Sequence, residues 1–196
     1  MNKTDVPLVS VIVRSIGREH LLNEALDSIA AQTYPNIEVV VVNAMGAGHS
    51  DMNEWCGRFP MRMIGAIERL RRSRAANIGL DAARGKYLIF LDDDDWFEAN
   101  HIEKLVTALN QNPQFKVAYT GTKCVDERKN LLSYKFGMLF DATQLLAGNY
   151  IPIHAALFSR TLLALDCRMD ESLDVYEDWD FWIQLSRHTD FFLVDG

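Results

Sequence analysis

Short β-branched runs alternate with amphipathic helical patterns in the first part of the chain, and this alternation restricts the fold more than any other feature. The runs predict strands at residues 8–13, 37–42, 61–67 and 86–91, and the helical patterns cover residues 19–32, 73–84 and 97–110. Because parallel strands are joined by crossover connections, usually helices, this order favours βαβ units and a mostly parallel sheet. The predicted fold class is therefore α/β, with helices flanking a central sheet.

The pattern of the second part is less regular. Strands are predicted at residues 115–120 and 131–136, with a polar turn at 126–130 that indicates a hairpin, and helices at residues 141–147, 159–165 and 178–188. No internal repeat, low-complexity tract or linker interrupts the sequence. We therefore expect residues 1–196 to form one domain with two halves, of about residues 1–110 and 111–196.

The composition restricts the function as well as the fold. The chain has 196 residues, of which 48% are apolar, and this suits one domain with a substantial core. Lys and Arg number 20 and Asp and Glu number 27, so the net charge is −7. Nucleic-acid binding needs a basic surface that neutralises phosphates, so this acidic balance argues against a nucleic-acid partner.

The cysteines and the apolar segments give an expected location. Cys56, Cys124 and Cys167 lie far apart and form no C-x-x-C pair, so we expect neither a disulfide framework nor a zinc site. No signal peptide is predicted, and no stretch approaches the roughly 20 apolar residues of a membrane-spanning helix. We expect a cytoplasmic protein, with peripheral association at the cytoplasmic face of a membrane left open. Residues 191–196 have the pattern of a strand and a turn, which leaves open that the sequence is a piece of a longer protein, truncated at its C-terminus.

Four consecutive carboxylates, Asp92, Asp93, Asp94 and Asp95, directly follow the predicted strand at residues 86–91. Adjacent anions repel one another, and a divalent cation among them would relieve that repulsion. Carboxylate oxygens are the ligands that Mg²⁺, Mn²⁺ and Ca²⁺ prefer, and ligands of parallel sheets bind at the carboxyl ends of strands. The sequence therefore predicts a metal-dependent site at this strand end.

Structural roles are the alternative for these acids. Asp95, with Glu98 three residues later, has the pattern of a capping box, so we expect Asp95 to cap the helix that follows. The other three aspartates are open to the alternative that they are solvated loop acids.

Six segments occur along the chain in a characteristic order: QTYP at 32–35, IEVVVV at 37–42, SRAANIGL at 73–80, ARGKY at 83–87, FLDDDD at 90–95 and YEDWDFW at 176–182. In order and spacing they resemble the family 2 glycosyltransferases of the GT-A fold, from about residue 8 to residue 194. The resemblance implies a nucleotide-binding half at about residues 1–110 and an acceptor half at about 111–196. It also implies an inverting transferase that uses a nucleoside-diphosphate sugar.

The resemblance assigns roles to the acidic run. Asp94 would ligate a divalent metal, Mn²⁺ or Mg²⁺, that bridges the nucleotide diphosphate. Asp92 would contribute to the metal shell, and Asp92 and Asp93 would face the nucleotide. The reaction needs such a cation because negative charge develops on the departing diphosphate.

A second group of acids begins the last predicted helix. By resemblance, Asp178 is the general base that takes a proton from an acceptor hydroxyl, with Glu177 and Trp179 on the acceptor side. General-base catalysis is worth about 10² to 10⁴ in rate. The structural alternative makes Asp178 the N-cap of that helix, with Glu177 and Asp180 as acids that suit the helix dipole.

The nucleotide end departs from the family pattern. By resemblance, Arg14, Ser15, Ile16 and Asn43 bind the nucleotide sugar, but the first-strand end lacks the family's usual stacking aromatic residue and Asn43 stands where the family usually has an Asp. An Asn oxygen can still accept from a uracil imide, so UDP is the first expectation. Position 76, beside Asn77, usually carries an Arg in the family but is Ala in this chain, and Arg74, about one helical turn before Asn77, is expected to serve instead.

The expected partners are a nucleoside-diphosphate sugar and a saccharide or lipid-linked acceptor, as in polysaccharide, cell-envelope or glycoconjugate synthesis. The competing hypothesis is a nucleotide-sugar-binding module of the same fold that has lost turnover. An aspartate phosphatase would need Thr or Val after the acidic motif, and Asp95-Trp96 does not fit. His154 is expected to be a structural histidine. The sequence predicts no oligomeric state.

Overall fold

The chain folds around a mixed sheet of eight strands. The computed structural model describes residues 6–46, 54–126, 128–173 and 175–195, and at 134 and 135 it describes the backbone alone. The strands of the sheet are β1 Val9–Ser15, β2 Ile37–Asn43, β3 Trp55–Cys56, β4 Phe59–Gly65, β5 Tyr87–Asp92, β6 Val117–Thr120, β9 Ala156–Ser159 and β10 Phe191–Val194. A separate hairpin pairs β7 Thr122–Val125 with β8 Leu131–Phe136. The helices are α1 Glu19–Ala30, α2 Arg72–Ala82, α3 His101–Gln111, α4 Ala142–Ala147 and α5 Glu177–Ser186, with 3₁₀ turns at Ile153–Ala155 and Arg160–Leu165.

The strand order is β10-β6-β9-β5-β1-β2-β4-β3. The pairs β1–β2, β1–β5, β2–β4 and β6–β10 are parallel, whereas β9 runs antiparallel to both β5 and β6. All seven positions of β1 and of β2 are buried, because helices cover both faces of the sheet. The α/β class and the mostly parallel sheet predicted from the sequence are confirmed.

The register of the central strands brings three strand ends together. Arg14 on β1 lies opposite Asp92 on β5, and Ser15 lies opposite Asn43 on β2. Helix α2 packs closely over this region, since a Cβ at Gly79 would lie 2.2 Å from Cγ2 of Ile12. The ends of β1, β2 and β5 therefore bring together, at the carboxyl edge of the sheet, residues predicted to bind the nucleotide and the metal.

Several element boundaries correct the sequence predictions. Helix α3 begins at His101 rather than near Phe97, because residues 95–98 have no regular structure and residues 99–100 form a turn before it. Residues 160–165 form a 3₁₀ turn instead of an α-helix. The predicted hairpin exists, but β8 pairs with β7 and not with the strand at β6. Among the described residues, no helix is both long enough and apolar enough to span a membrane.

Candidate active site

Arg14 and Asp92 form a two-bond ion pair at the adjoining ends of β1 and β5. The Arg14 Nε donates to Asp92 Oδ1 at 2.7 Å and its Nη2 donates to Oδ2 at 2.9 Å. Burial alone would raise the pKa of Asp92, but the charge and hydrogen bonds of Arg14, with Arg72 and His154 contributing, hold it below its ordinary value. Asp92 is therefore held as an anion.

The same guanidinium extends to the second acidic motif. Arg14 Nη1 donates to Oε1 of Glu177, the first residue of α5, at 3.0 Å. Glu177 is 3% exposed and Arg14 is 7% exposed. Burial would lower the pKa of Arg14, but Asp92 and Glu177 together hold it above its ordinary value. One buried cation thus joins the two regions that the sequence analysis treated separately.

Arg18 neutralises the next two carboxylates. Asp93 is buried and accepts from the backbone N–H of Ile16 at 3.0 Å and from Arg18 Nη2. Asp94 is exposed and accepts from Arg18 Nη1 at 2.8 Å. Asp93 therefore fixes the loop after β1, whereas the ion pair of Asp94 with Arg18 is open to solvent.

Asp95 does not cap a helix, and this prediction was wrong. Helix α3 starts six residues later with Asn100 at its N-cap, so the carboxylate of Asp95 lies too far away to cap it. Asp95 Oδ2 instead lies 3.0 Å from Nδ1 of His154, whose Nε2 is 3.5 Å from Oγ1 of Thr122. His154 therefore has polar partners on both ring nitrogens, as its expected structural role requires.

The geometry of these acids suits a hard cation. One carboxylate oxygen from each of Asp92, Asp94 and Asp95 lies within 4.8 Å of the others. Carboxylate oxygens at such spacing match Mg²⁺ or Mn²⁺, which keep further positions for water and substrate phosphates. The residues present therefore fit the divalent metal expected from the sequence. Asp92 to Asp95 are called the aspartate cluster below.

Asp178 is held by amides. Its Oδ1 accepts from the backbone N–H of Trp179 at 2.8 Å, and its Oδ2 accepts from Nδ2 of Asn149 at 2.9 Å. Burial raises the pKa of Asp178 above its ordinary value, and the neighbouring charge of Glu177 adds to this, against the effect of the two hydrogen bonds. Asp178 is also not the N-cap of α5: that position is Tyr176, in the left-handed conformation.

Two cavities meet at Asp178. The first, of about 410 Å³, is lined by Arg14, Arg72, Asp92, Asn149, Ile153, Val175, Tyr176, Glu177 and Asp178. The second, of about 960 Å³, includes Asp94, Asp95, Trp96 and His154 in its lining. Asn149, Ile153 and Asp178 line both cavities. A carboxylate at this boundary can contact one molecule in each space.

Residues 10–164 match the family model described as "Glycosyl transferase family 2". The chain belongs to glycosyl transferase family 2. One family relative is an uncharacterised glycosyltransferase of Rickettsia prowazekii, 29% identical over 191 residues, which cover 92% of this chain and 59% of the relative. The chain spans between 28% and 59% of the length of three such curated relatives from Rickettsia.

Solved structures share the fold. Residues 1–349 of Staphylococcus aureus TarS, crystallised with UDP-GlcNAc, superpose with a TM-score of 0.72 at 18% identity, over 96% of this chain and 58% of that one. The mannosyltransferase PcManGT of Pyrobaculum calidifontis, crystallised with GDP-Man and Mn²⁺, gives a TM-score of 0.69 at 20% identity, over 98% of this chain and 57% of that one. The GT-A fold expected from the sequence is confirmed.

The other predicted nucleotide residues of this family 2 chain lie at the strand ends. Ser15 is fully buried and Ile16 is 42% exposed. Asn43 is buried, and its amide donates to Gly46 O at 2.9 Å and accepts from Met45 N at 2.8 Å. The turn after β2 thus uses the amide that we expected to meet a nucleotide base. One lone pair on its oxygen is left for a further donor.

Arg74 is not among the residues that line the first cavity. Its Nη1 lies 3.1 Å from Oε1 of Glu171, whereas Arg72 lines the cavity beside Asp92. Sequence reasoning left Arg72 open between a contact with phosphates and a solvated helix face, and assigned the role to Arg74. The signal was available: Arg72 lies four residues before Ala76, and residues four apart share one face of a helix.

Trp179 lies next to Asp178 and is half-buried. Its Nε1 donates to the backbone oxygen of Leu145 at 2.5 Å, so the indole ties α5 to α4. Its ring meets the ring of Tyr176 edge to face, with centroids 5.8 Å apart. Tyr176 lines the first cavity and is 65% exposed, so it is the aromatic surface in the site that sequence reasoning did not single out.

Proposed function

We propose that this chain carries the catalytic site of a metal-assisted, inverting glycosyltransferase that moves a sugar from a nucleoside-diphosphate donor to an acceptor hydroxyl. The observation that carries the proposal is the position of Asp178 at the boundary of two cavities. The first cavity also contains Asp92 and Arg72, so it offers both a carboxylate for a cation and a cation for phosphate.

The donor is proposed to bind in the first cavity, with its diphosphate at the boundary between Asp92, which lines that cavity, and Asp94 and Asp95, which line the second. A divalent metal, Mn²⁺ or Mg²⁺, would be held by Asp94 and Asp92, with Asp95 within reach, and would neutralise charge on the departing diphosphate. Arg72 is proposed to contact the same phosphates, in the role that the sequence analysis gave to Arg74. Asp93, through Ile16 and Arg18, holds the loop after β1 in place.

The acceptor is proposed to enter through the second cavity. Asp178 takes the proton from the acceptor hydroxyl as that oxygen forms a bond to the anomeric carbon. The bond from this carbon to the diphosphate oxygen breaks, and its electron pair leaves with the diphosphate. Attack from the face opposite the leaving group inverts the configuration. Burial of Asp178 favours this chemistry because it raises the proton affinity of the carboxylate.

UDP is the proposed nucleotide. It is supported by TarS, which shares the fold and was crystallised with UDP-GlcNAc, and the metal is supported by PcManGT, crystallised with Mn²⁺. A saccharide or lipid-linked acceptor, and a place in polysaccharide, cell-envelope or glycoconjugate synthesis, are proposed on the family resemblance. Residues about 1–110 would then bind the nucleotide, and residues about 111–196, including Trp179, the acceptor.

A binding screen and a turnover assay test this function. Thermal shift is measured with UDP, GDP and their sugars, each with and without Mn²⁺, and release of free UDP from UDP-sugars is then followed. We expect metal-dependent stabilisation by UDP and slow UDP release that needs Asp178. Absence of any metal-dependent nucleotide shift would overturn the proposal. Nucleotide binding without release would favour the competing hypothesis of a non-catalytic binding module.

A further inference from the structure

Glu177 is a buried acid whose charge is met by a residue from the opposite end of the sequence. Arg14 and Glu177 are 163 positions apart, and both are almost completely buried. Removing two charges from water is unfavourable, so a buried ion pair by itself is weak evidence for stabilisation. The role of this pair therefore depends on which parts of the structure it holds in place.

The geometry of Arg14 explains why an arginine occupies this position. Its Nε and Nη2 bind the two oxygens of Asp92, and its Nη1 binds Glu177. The planar guanidinium fixes the directions of all three bonds, whereas a lysine ammonium carries a single charge on a flexible stem. Arg14 therefore sets the distance and orientation between the end of β5 and the start of α5.

A strained residue stands beside this bridge. Tyr176 has φ 64° and ψ 20°, a left-handed conformation that bulky side chains rarely adopt. Such residues persist only where the surrounding structure determines them, and they occur often at functional sites. Here the left-handed turn directs the first residue of α5 inward to Arg14, and Asp178 follows it at the boundary of the two cavities.

We infer that Arg14 is a positioning residue: by bridging Asp92 and Glu177 it fixes the first turn of α5, and with it the carboxylate of Asp178, relative to the aspartate cluster. The inference deepens the proposed function and rests on it, because it assumes that Asp178 is the base. It concerns Arg14 and Glu177 as a coupled pair, and assigns neither of them contact with the reacting atoms.

The first test does not depend on turnover. Unfolding equilibrium constants are measured for Arg14→Met, Glu177→Gln and the double variant. Arg14→Met leaves both Glu177 and Asp92 without their cation, whereas in the Glu177→Gln background only Asp92 loses it. We therefore expect the effect of Arg14→Met to be at least tenfold smaller in the Glu177→Gln background. Arg62→Met is the matched control, since Arg62 pairs with Glu38 at 3.3 Å away from both cavities. Its effect should simply add to that of Glu177→Gln, and additivity of Arg14→Met as well would overturn the inference.

The second test uses UDP release from the UDP-sugar identified above. We expect Glu177→Gln and Arg14→Lys each to lower kcat by about 10- to 100-fold, because small displacements of a catalytic group have effects of this size. Arg62→Met should leave kcat of the folded protein within about threefold. Glu177→Gln keeps the size of the side chain, so it decides the question if an Arg14 variant does not fold.

The outcomes separate the two proposals. If wild-type protein releases no UDP, the proposed function fails while the unfolding cycle still reports on the bridge. If wild-type protein turns over and both variants keep wild-type kcat, the positioning role is overturned and the proposed function stands. The carboxyl titration of Asp178, followed by ¹³C NMR, gives a third readout: its pKa should rise in Arg14→Met, because the charge of Arg14 lowers it.

Discussion

Members of the aspartate cluster and Asp178 line the same cavities, but the groups that surround them shift the pKa of Asp92 and of Asp178 in opposite directions. Arg14 and Arg18 form ion pairs with members of the cluster, and Nδ1 of His154 lies 3.0 Å from Oδ2 of Asp95. Asp178 is held by the N–H of Trp179 and the amide of Asn149. The pKa of Asp92 is held below its ordinary value by Arg14, against burial, whereas burial raises the pKa of Asp178.

This difference corresponds to two kinds of chemistry. A carboxylate that binds a cation must stay ionised, and nearby arginines ensure this when no metal is present. A carboxylate that removes a proton from a hydroxyl gains from a raised proton affinity, provided that it is still ionised at working pH. Environments that shift two acids in opposite directions are a pattern of active sites, and they support the roles proposed for Asp92 and Asp178.

Replacing Asp178 tests the comparison most severely. We expect Asp178→Asn to lower UDP release by about 10² to 10⁴, because the proton acceptor is lost while the size of the side chain is kept. The Kd of UDP, measured by calorimetry with Mn²⁺ present, should stay within a few-fold. Asp180→Asn, in the same helical turn, is the control and should retain turnover. If Asp178→Asn kept more than a tenth of wild-type turnover, Asp178 would not be the general base.

The same variant has a predicted effect on stability. A carboxyl with a raised folded-state pKa binds its proton more tightly when folded, so above that pKa its ionised form destabilises the fold. Asp178→Asn should therefore raise the melting temperature at pH 7, and the gain should shrink as the pH falls through the folded-state pKa and vanish below the unfolded-state pKa. A lower melting temperature at pH 7 would show that the carboxylate stabilises the fold instead.

The sequence predicted the aspartate cluster better than its surroundings because strand patterns are local. β-branched runs such as residues 37–42 favour strands, so the ends of the first strands were predicted to within two residues. The strand at Ala156–Ser159 was missed, since four residues without alternation give no strand signal and its partners β5 and β6 are distant in sequence.

Side-chain partners were less predictable than elements. The pattern of Asp95 and Glu98 predicted a helix cap near Phe97, but α3 begins only at His101. Asp95 instead contacts His154, a residue that is distant in sequence, and local pattern does not show such a contact. Nor could it show that Arg14 meets Glu177, since that contact depends on how α5 docks on the sheet. Long-range ion pairs are set by the assembled fold, and local pattern carries no information about them.

Asp94 tests the other side of the comparison. Its side chain is 46% exposed and its ion pair with Arg18 is near the surface, so Asp94→Asn should change stability by less than about 1 kcal/mol. We expect the Mn²⁺-dependent part of UDP binding to weaken by about tenfold or more, because one of three carboxylates is removed. Isothermal titration with and without Mn²⁺ measures this.

The control for Asp94 is Asp81→Asn. Asp81 forms a comparable exposed ion pair with Arg168 at 2.8 Å, on helix α2 away from the cluster. The Asp81→Asn variant should alter neither the stability of the protein nor the metal dependence of UDP binding. Equal metal dependence in wild type and Asp94→Asn would mean that the cluster is a charge network without a metal.

Arg72 should have a smaller effect on the donor side. Because it lines the first cavity beside Asp92, we expect Arg72→Gln to raise the KM for the UDP-sugar by about tenfold, the typical loss of one hydrogen bond to a charged group. Arg74→Gln, two residues further along α2, is the matched control, since Arg74 pairs with Glu171 instead. A larger effect at Arg74 than at Arg72 would restore the role that the sequence predicted for Arg74.

Replacing Asn149 should have the smallest effect on activity, and this effect should lie in the pH dependence of kcat. Its Nδ2 donates to Asp178 Oδ2 and so lowers the pKa of that carboxyl, in opposition to burial. Asn149→Ala removes this donor, so the pKa of Asp178 should rise further and a larger share of the base is protonated at a given pH. Activity is lost as the pH falls through this pKa, and the acidic limb of the kcat profile should therefore move to higher pH, with a loss at neutral pH of only a few-fold.

The pH profile distinguishes this effect from a general disturbance of the site. A misplaced base lowers kcat by the same factor at every pH, whereas a changed proton affinity moves the limb and leaves the plateau at high pH close to that of the wild type. Asn112→Ala is the control, because its amide binds a backbone oxygen at the end of α3. A limb that moves to lower pH in Asn149→Ala would contradict the electrostatic difference between the two acidic sites, since the donor would then be stabilising the protonated form of Asp178.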